Sequence, residues 1–169
     1  MASNQPKLTP GDVATAGGKT YIIFKDQVRQ GGSCSWIARN PGNIRNGDSM
    51  GAISGKKHKC GSSGMFAIFP DEASGFAAIS KVLKAYGHIT VLAAMNKYAP
   101  SGDGGNDPKA YAQKVAKSMG VTVDSFVDKL SSSQLNTFAT AIKNTEGWIP
   151  GKAYSLSDAS LPQEIKDRL

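Results

Sequence analysis

The chain has 169 residues, 40% of them hydrophobic and 20% charged, and a formal net charge of +7. Those values suit one globular domain with a core of its own. They exclude a disordered chain, and the longest apolar runs, such as Val91 to Met95, are far too short to cross a bilayer.

The sequence pI near 9.4 favours anionic partners: nucleic acid, acidic lipid or the anionic polymers of a bacterial wall. The same charge also serves plain solubility. No aromatic RNA-binding motif, zinc pattern or long basic block supports nucleic acid. The one basic cluster is Lys56-Lys57-His58-Lys59. The N-terminal stretch MASNQPKLTPGD has no apolar core of a secretory signal. Delivery by another route, or inclusion in a larger protein, is the expectation.

In chain order, Met1 to Thr20 reads as a polar, flexible arm, and residues 21–169 as the domain. Tyr21 to Gln30 is an ordered segment of undecided type. Gly31 to Ser63 is rich in Gly, Asn, Ser and Lys and reads as loops with a short hairpin. Asp71 caps a helix to about Tyr86, with Phe76, Ile79, Val82, Leu83 and Tyr86 on one face and Gly87 beyond its end. Thr90 to Lys97 makes a second helix, stopped near Pro100. SGDGGND comes next as an open loop. Asp107 caps a third helix, with Pro108 at its first position and Gly120 after its end. Asp124 to Leu130 makes a turn or two. The serines 131–133 offer an N-cap for a helix to about Thr145, with Leu135, Phe138, Ala139 and Ile142 as its buried stripe. A last short helix runs from Leu161 to Arg168.

Cys34 and Cys60 are the only cysteines. With His58 and His88 they are too few and too scattered for a structural zinc site, so no metal or other cofactor is expected. They form either a disulfide or two buried thiols. A disulfide would point to an oxidising place of action.

Only three glutamates occur: Glu72, Glu146 and Glu164. Glu72 falls in the first turn of a helix, where a carboxylate suits the dipole. Glu164 lies on a polar terminal helix. Glu146 stands at a helix C-terminus, where the dipole disfavours an anion, beside Trp148 and Ile149. Dipole and desolvation would both raise its pKa, as a general acid requires. A plain exposed helix-end Glu fits the same residues.

The stretch EGWIPGKAYS, Glu146 to Ser155, resembles the E-S-x-F-x-P-x-A-x-S motif of soluble lytic transglycosylases and related lysozymes. Glu146, Ala153 and Ser155 keep the spacing; Gly147 replaces Ser, and Trp148 and Pro150 each come one place early. Gly61 to Ile79 is similar to the family's G-x-x-G-L-M-Q-I-M-P-x-T-A cleft wall, with Ala67 where the family has Gln. Asn106 to Val115 resembles its E-T-x-x-Y-V-x-x-V segment, which would make Tyr111 the tyrosine that hydrogen-bonds near the catalytic Glu. Here the Glu segment comes last, so the resemblance implies a circular permutation. NPGNIRNGD, Asn40 to Asp48, is similar to the N-P-G-N-I-R signature of phage- and secretion-associated wall-degrading domains. Phe66, Phe69, Gly75, Ala78, Tyr98-Ala99-Pro100 and Ile142 to Gly147 match their other elements. As structure alone, N-P-G-N is a tight turn with Asn side chains capping backbone.

The resemblance implies a mainly α, lysozyme-like fold: two helical lobes about a cleft, with a small loop or hairpin region. It implies cleavage of the β-1,4 bond after N-acetylmuramic acid in peptidoglycan. Glu146 would be the acid, and Tyr111, Met65, Phe66, Tyr98, Trp148, Asn40 and Asn43 the substrate contacts. Asp48 or Asp71 would activate water in a hydrolase; a lytic transglycosylase needs only one carboxyl. A wall-binding or virion structural module without catalysis, and a basic nucleic-acid-binding domain, are the readings from other classes. The implied setting is the periplasm or cell wall, reached by phage or secretion apparatus. The chain would act as a monomer, with an immunity protein as partner if it is a secreted effector.

Overall fold

The computed structural model describes residues 5–101 and 107–169. Most of the SGDGGND loop and the first four residues of the N-terminal stretch lie outside them. Among the described residues there are, in chain order, β1 (Val13–Ala16), β2 (Lys19–Ile23), β3 (Val28–Gln30), α1 (Cys34–Ile37), β4 (Lys57–Lys59), β5 (Met65–Ala67), α2 (Glu72–Ala85), α3 (Val91–Tyr98), α4 (Pro108–Met119), α5 (Ser132–Glu146), β6 (Lys152–Tyr154) and α6 (Gln163–Lys166). Short 3-10 turns cover Asp48–Met50 and Val127–Lys129.

The fold is therefore α+β, and the mainly α, two-lobed helical expectation is overturned. An antiparallel sheet runs in the order β1-β2-β3-β6, and β4 pairs with β5 as a separate hairpin. The sheet's first hairpin lies in the stretch expected to be an arm. Gly17 and Gly18, both in the left-handed region, turn β1 onto β2 in the register Ala16↔Lys19. A Gly-Gly pair suits that turn because neither residue carries a Cβ. The strands of Tyr21 to Gln30 lack visible alternation because β2 is covered on both faces. Tyr21 and Ile23 pack with Leu161 and Ile165 on one side; Ile22 and Phe24 pack with Trp36, Ile37 and Ile68 on the other. A strand buried on both faces loses its period of two.

The helical part matches the sequence expectation more closely. Asp71, Thr90, Asp107 and Ser131 are the N-caps of α2, α3, α4 and α5, each accepting a backbone N–H. Ser131 and Gln134 close a capping box. Gly120 ends α4 in a left-handed conformation. The buried faces of α2 to α5 meet in one core with Ile44, Ala67 and Phe69.

Two buried arginines join sheet to helices. The Arg29 guanidinium lies 4.4 Å from the Trp36 ring centroid, and that of Arg39 lies 4.0 Å from the Phe24 centroid. Arg29 bonds Glu72 at 2.5 Å, and Arg39 donates to both Asp26 oxygens at 2.8 Å. Glu72 thus anchors a buried cation as well as beginning α2. Leu8 N–H donates to the Arg168 carbonyl at 2.7 Å, which sets residues near the two ends of the chain side by side.

This packing has two consequences for stability. A Cβ on Gly75 would strike the Arg39 carbonyl oxygen, backbone that cannot swing aside. Helix propensity favours Ala over Gly by about 1 kcal/mol, yet overpacking of this kind costs about 1–3 kcal/mol or more. Gly75→Ala should therefore lower unfolding stability in a denaturant titration; an unchanged midpoint would show that the loop lifts freely from α2.

Cys34 and Cys60 form a disulfide with Cα atoms 6.0 Å apart and a sequence separation of 26. A loop of that length gives about 3.5 kcal/mol in the chain-entropy account. Reductant should remove a comparable amount from the wild type and nothing from a Cys34→Ser/Cys60→Ser variant.

Candidate active site

Glu146 is the last residue of α5 and is partly buried. The stripe Leu135, Phe138, Ala139 and Ile142 fixes the rotation of that helix against the core. Gly147 then takes φ 85°, a turn that a side chain would resist. Residues 147–151 are clamped to the segment before α1. The Ser35 hydroxyl donates to the Gly147 carbonyl. Ile149 N–H donates to Ser33 Oγ at 3.0 Å, and Ser33 N–H to the Ile149 carbonyl at 2.8 Å. Gly32 and Gly151 meet backbone to backbone, where no Cβ fits. β6 then pairs with β3, Lys152 opposite Gln30. The acid is thus gripped from both sides along the chain.

The N-P-G-N-I-R segment supplies the third grip. Asn43 N–H closes a tight turn on the Asn40 carbonyl at 3.0 Å. The fully buried Asn40 side chain donates to the carbonyls of Ile44 and Ala67 and accepts from Ile44 N–H. Asn43 lies in the left-handed region, φ 47°, which Asn tolerates better than most residues. From there its Nδ2 donates to Glu146 Oε2 at 2.9 Å. Its Oδ1 is buried without a hydrogen-bond partner among the described residues.

Two tyrosines complete the surroundings. Tyr98 donates to the Gly42 carbonyl. Burial pushes its hydroxyl well above the ordinary phenol value, and the charge of Glu146 pushes the same way. Tyr111 donates to the Ile142 carbonyl at 3.5 Å, the outer limit of a hydrogen bond. Its hydroxyl is also raised, by burial first and by Glu146 second, with a Thr145 hydrogen bond opposing. Both phenols stay protonated at neutral pH, as donors beside a carboxylate should.

The structure thus gathers Asn43, Tyr98 and Tyr111 at Glu146. The other candidates stand elsewhere or do other work. Asn40 is spent on backbone and shapes the turn. Met65 is exposed on β5, and Phe66 is buried with Arg45 5.1 Å from its ring centroid. Trp148 packs toward Ile22, Trp36 and Ile68, with Lys143 Nζ 4.5 Å from its ring. Asp71 caps α2, and its hydrogen bonds with Ser74 hold its carboxyl below the ordinary range. Asp48 is exposed and accepts from Gly55 N–H at 3.4 Å. Ala67, where the resembling family has Gln, takes part through its backbone, pairing with Ile44 and receiving Asn40.

The Ser33–Ser35 clamp escaped the sequence reading. A Gly-Gly-Ser-x-Ser run before an aromatic was its only trace. Among the described residues no cluster of three His, Cys, Asp or Glu could hold a metal, and no helix is long and apolar enough to cross a membrane. The chain matches no protein-family model and no curated protein sequence.

The Asn43–Glu146 contact has a measurable signature. Asn43→Asp would put two carboxyls at hydrogen-bond distance, and like charges so close hold one proton to higher pH. Carbon NMR titration should show a coupled pair, with one carboxyl titrating above all the others. Independent, ordinary titration of both would remove Asn43 from contact with Glu146.

Proposed function

We propose that the chain cleaves the glycan strand of peptidoglycan, with Glu146 as the proton donor to the glycosidic oxygen. The observation that carries the reading is the 2.9 Å bond from Asn43 to Glu146. The two residues lie 103 positions apart, Asn43 in N-P-G-N-I-R and Glu146 in the Ile142 to Gly147 element of the same resemblance and at the start of E-G-W-I-P-G-K-A-Y-S.

In this mechanism Glu146 protonates the leaving oxygen as positive charge develops on the sugar. Asn43 fixes the carboxyl's orientation, and the tyrosine hydroxyls of Tyr98 and Tyr111 line the polar side of the site. Hydrolysis as a lysozyme or muramidase needs a second group to activate water. The engagement of Asp71 as a helix cap and of Asp48 with Gly55 favours a second reading. In it the sugar's own 6-hydroxyl attacks, as in a lytic transglycosylase, and one carboxyl suffices. The net charge of +7 suits capture by anionic wall polymers. Action in the periplasm, delivery by phage or secretion apparatus, and an immunity partner belong to the same proposal.

Glu146→Gln should abolish turbidity loss of purified sacculi while leaving thermal stability nearly unchanged. A general acid contributes about 10²–10⁴-fold, so clearance above about a tenth of the wild-type rate would overturn the assignment. Mass spectrometry of the products separates the two chemistries: 1,6-anhydro ends mark transglycosylation, reducing ends hydrolysis.

A further inference from the structure

The Cys34–Cys60 bridge joins the two parts of the fold that hold Glu146. Cys34 opens α1 and stands between Ser33 and Ser35, whose hydroxyls bond the backbone of Ile149 and Gly147. Cys60 begins the turn from β4 to β5, its N–H on the Gly64 carbonyl at 2.9 Å. β5 ends at Ala67, whose carbonyl accepts from Asn40, the residue that shapes the turn presenting Asn43. α1 has four residues, too few to keep their shape without outside ties. Trp36 and Ile37 anchor its far end in the core; at its near end the bridge is the covalent tie.

Both cysteines are only partly buried. Cys34 lines a cavity of about 330 Å³, whose rim is exposed at Gly18, Lys19 and Gly32. A small thiol can therefore reach the bridge from solvent. No acidic side chain lines the cavity, and the Lys19 cation there favours the thiolate form of an incoming thiol. We propose that the bridge is a reducible switch on Glu146: a dithiol reductant entering this cavity opens it, the Ser33–Ser35 clamp slackens, and the acid leaves its working position. The reductant's thiolate attacks the Cys34 sulfur, so a mixed disulfide forms as the Cys34–Cys60 bond breaks. The Cys60 thiolate leaves and takes a proton from solvent. The reductant's second thiolate then displaces Cys34. The dithiol ends as a cyclic disulfide, and the chain gains two thiols. Exchange with a disulfide oxidant runs the same steps backwards and resets the acid. The loss of activity rests on the reading of Glu146 as the proton donor; the release of the clamp does not.

NMR of the full chain follows three sets of signals: the Glu146 carboxyl carbon, the Gly147 and Ile149 amides, and the Val115 methyls in the helical core. With dithiothreitol the first two should shift and Val115 should stay; reoxidation should restore them. Misplacing a catalytic group by about 1 Å can cost about 10²-fold, so sacculus clearance should fall at least tenfold on reduction and recover on reoxidation. Cys34→Ser/Cys60→Ser should match the reduced chain and ignore dithiothreitol. Ser33→Ala/Ser35→Ala keeps the bridge and cuts the clamp, so its clearance should already be low and fall less than twofold further on reduction. A full tenfold fall in that variant takes the clamp out of the route and overturns the proposal. So do unmoved Glu146, Gly147 and Ile149 signals in the reduced chain. Loss of the Val115 signals along with theirs makes the bridge a plain staple and overturns it too. If the signals respond but the oxidised chain never clears sacculi, the clamp release stands and the enzymatic reading fails. If oxidised and reduced chains both clear sacculi at rates within twofold, the enzymatic reading stands and the switch fails.

Discussion

The position of Glu146 depends on one buried amide. Asn40 uses both of its N–H groups and its carbonyl oxygen, and so ties the residue-44 backbone to β5 and closes the turn that presents Asn43. A buried amide left half-satisfied costs about 1–3 kcal/mol, so each of these bonds is enforced by the absence of water. The turn in turn needs room on α2, which Gly75 provides by lying flat beneath the Arg39 carbonyl. Gly42 provides the same freedom against the Tyr98 hydroxyl and Ile79. The glycines and asparagines of this region are therefore one assembly: the glycines permit the close approach, and the asparagine bonds lock it.

The buried arginines constrain the other side of the site. Arg29 and Arg39 sit close enough for like-charge repulsion to lower the Arg29 pKa, along with burial, which is the larger cause. Such a pair persists only when each charge has a counter-ion and a ring to lie on. Glu72, Asp26, Phe24 and Trp36 supply these, and the Trp36 carbonyl accepts from Arg29 at 2.6 Å. Buried ion pairs add little net stability but tolerate few alternative arrangements. Here the arrangement they select holds β3 and α1 against the start of α2. The clamp on the segment after Glu146 is built on β3 and the residues before α1, so the charge stack stands behind it.

The helical half was legible in the sequence because helices announce themselves locally. Asp71, Thr90, Asp107 and Ser131 act as caps where a short polar residue precedes an apolar period, and Gly120 stops α4 for a reason visible in its type. The sheet was not legible, for three separate reasons. β2 is buried on both faces and shows no alternation. β3, β4, β5 and β6 have three residues each, too few for any period to register. β6 pairs with β3 across more than a hundred residues, a partnership no local window can contain. At the site, Glu146, Asn43, Tyr98 and Tyr111 stand out by motif likeness, as does Asn40, whose buried side chain is bonded to backbone. Its residue type suits either role, and only burial distinguishes them.

The departures of the Glu146 segment from the resembling motif also have a physical cause. Where the motif has Ser after the acid, this chain has Gly147 at φ 85°, and the Ser35 hydroxyl, 112 positions away, donates to the Gly147 carbonyl. Trp148 and Pro150 come one place early, and the residues beside them satisfy two constraints at once. Ile149 has to present both its N–H and its carbonyl to Ser33, and Gly151 has to lie flat against the backbone of residues 30–32. Once those are met, β6 enters in register with β3. The disulfide adds a further tie, since Cys34 stands between the two clamping serines and Cys60 comes just after β4. Residue spacing after the acid is therefore set by the sheet that receives it. The likeness to the motif survives at Glu146, Ala153 and Ser155, and is lost at the residues whose backbone the clamp holds.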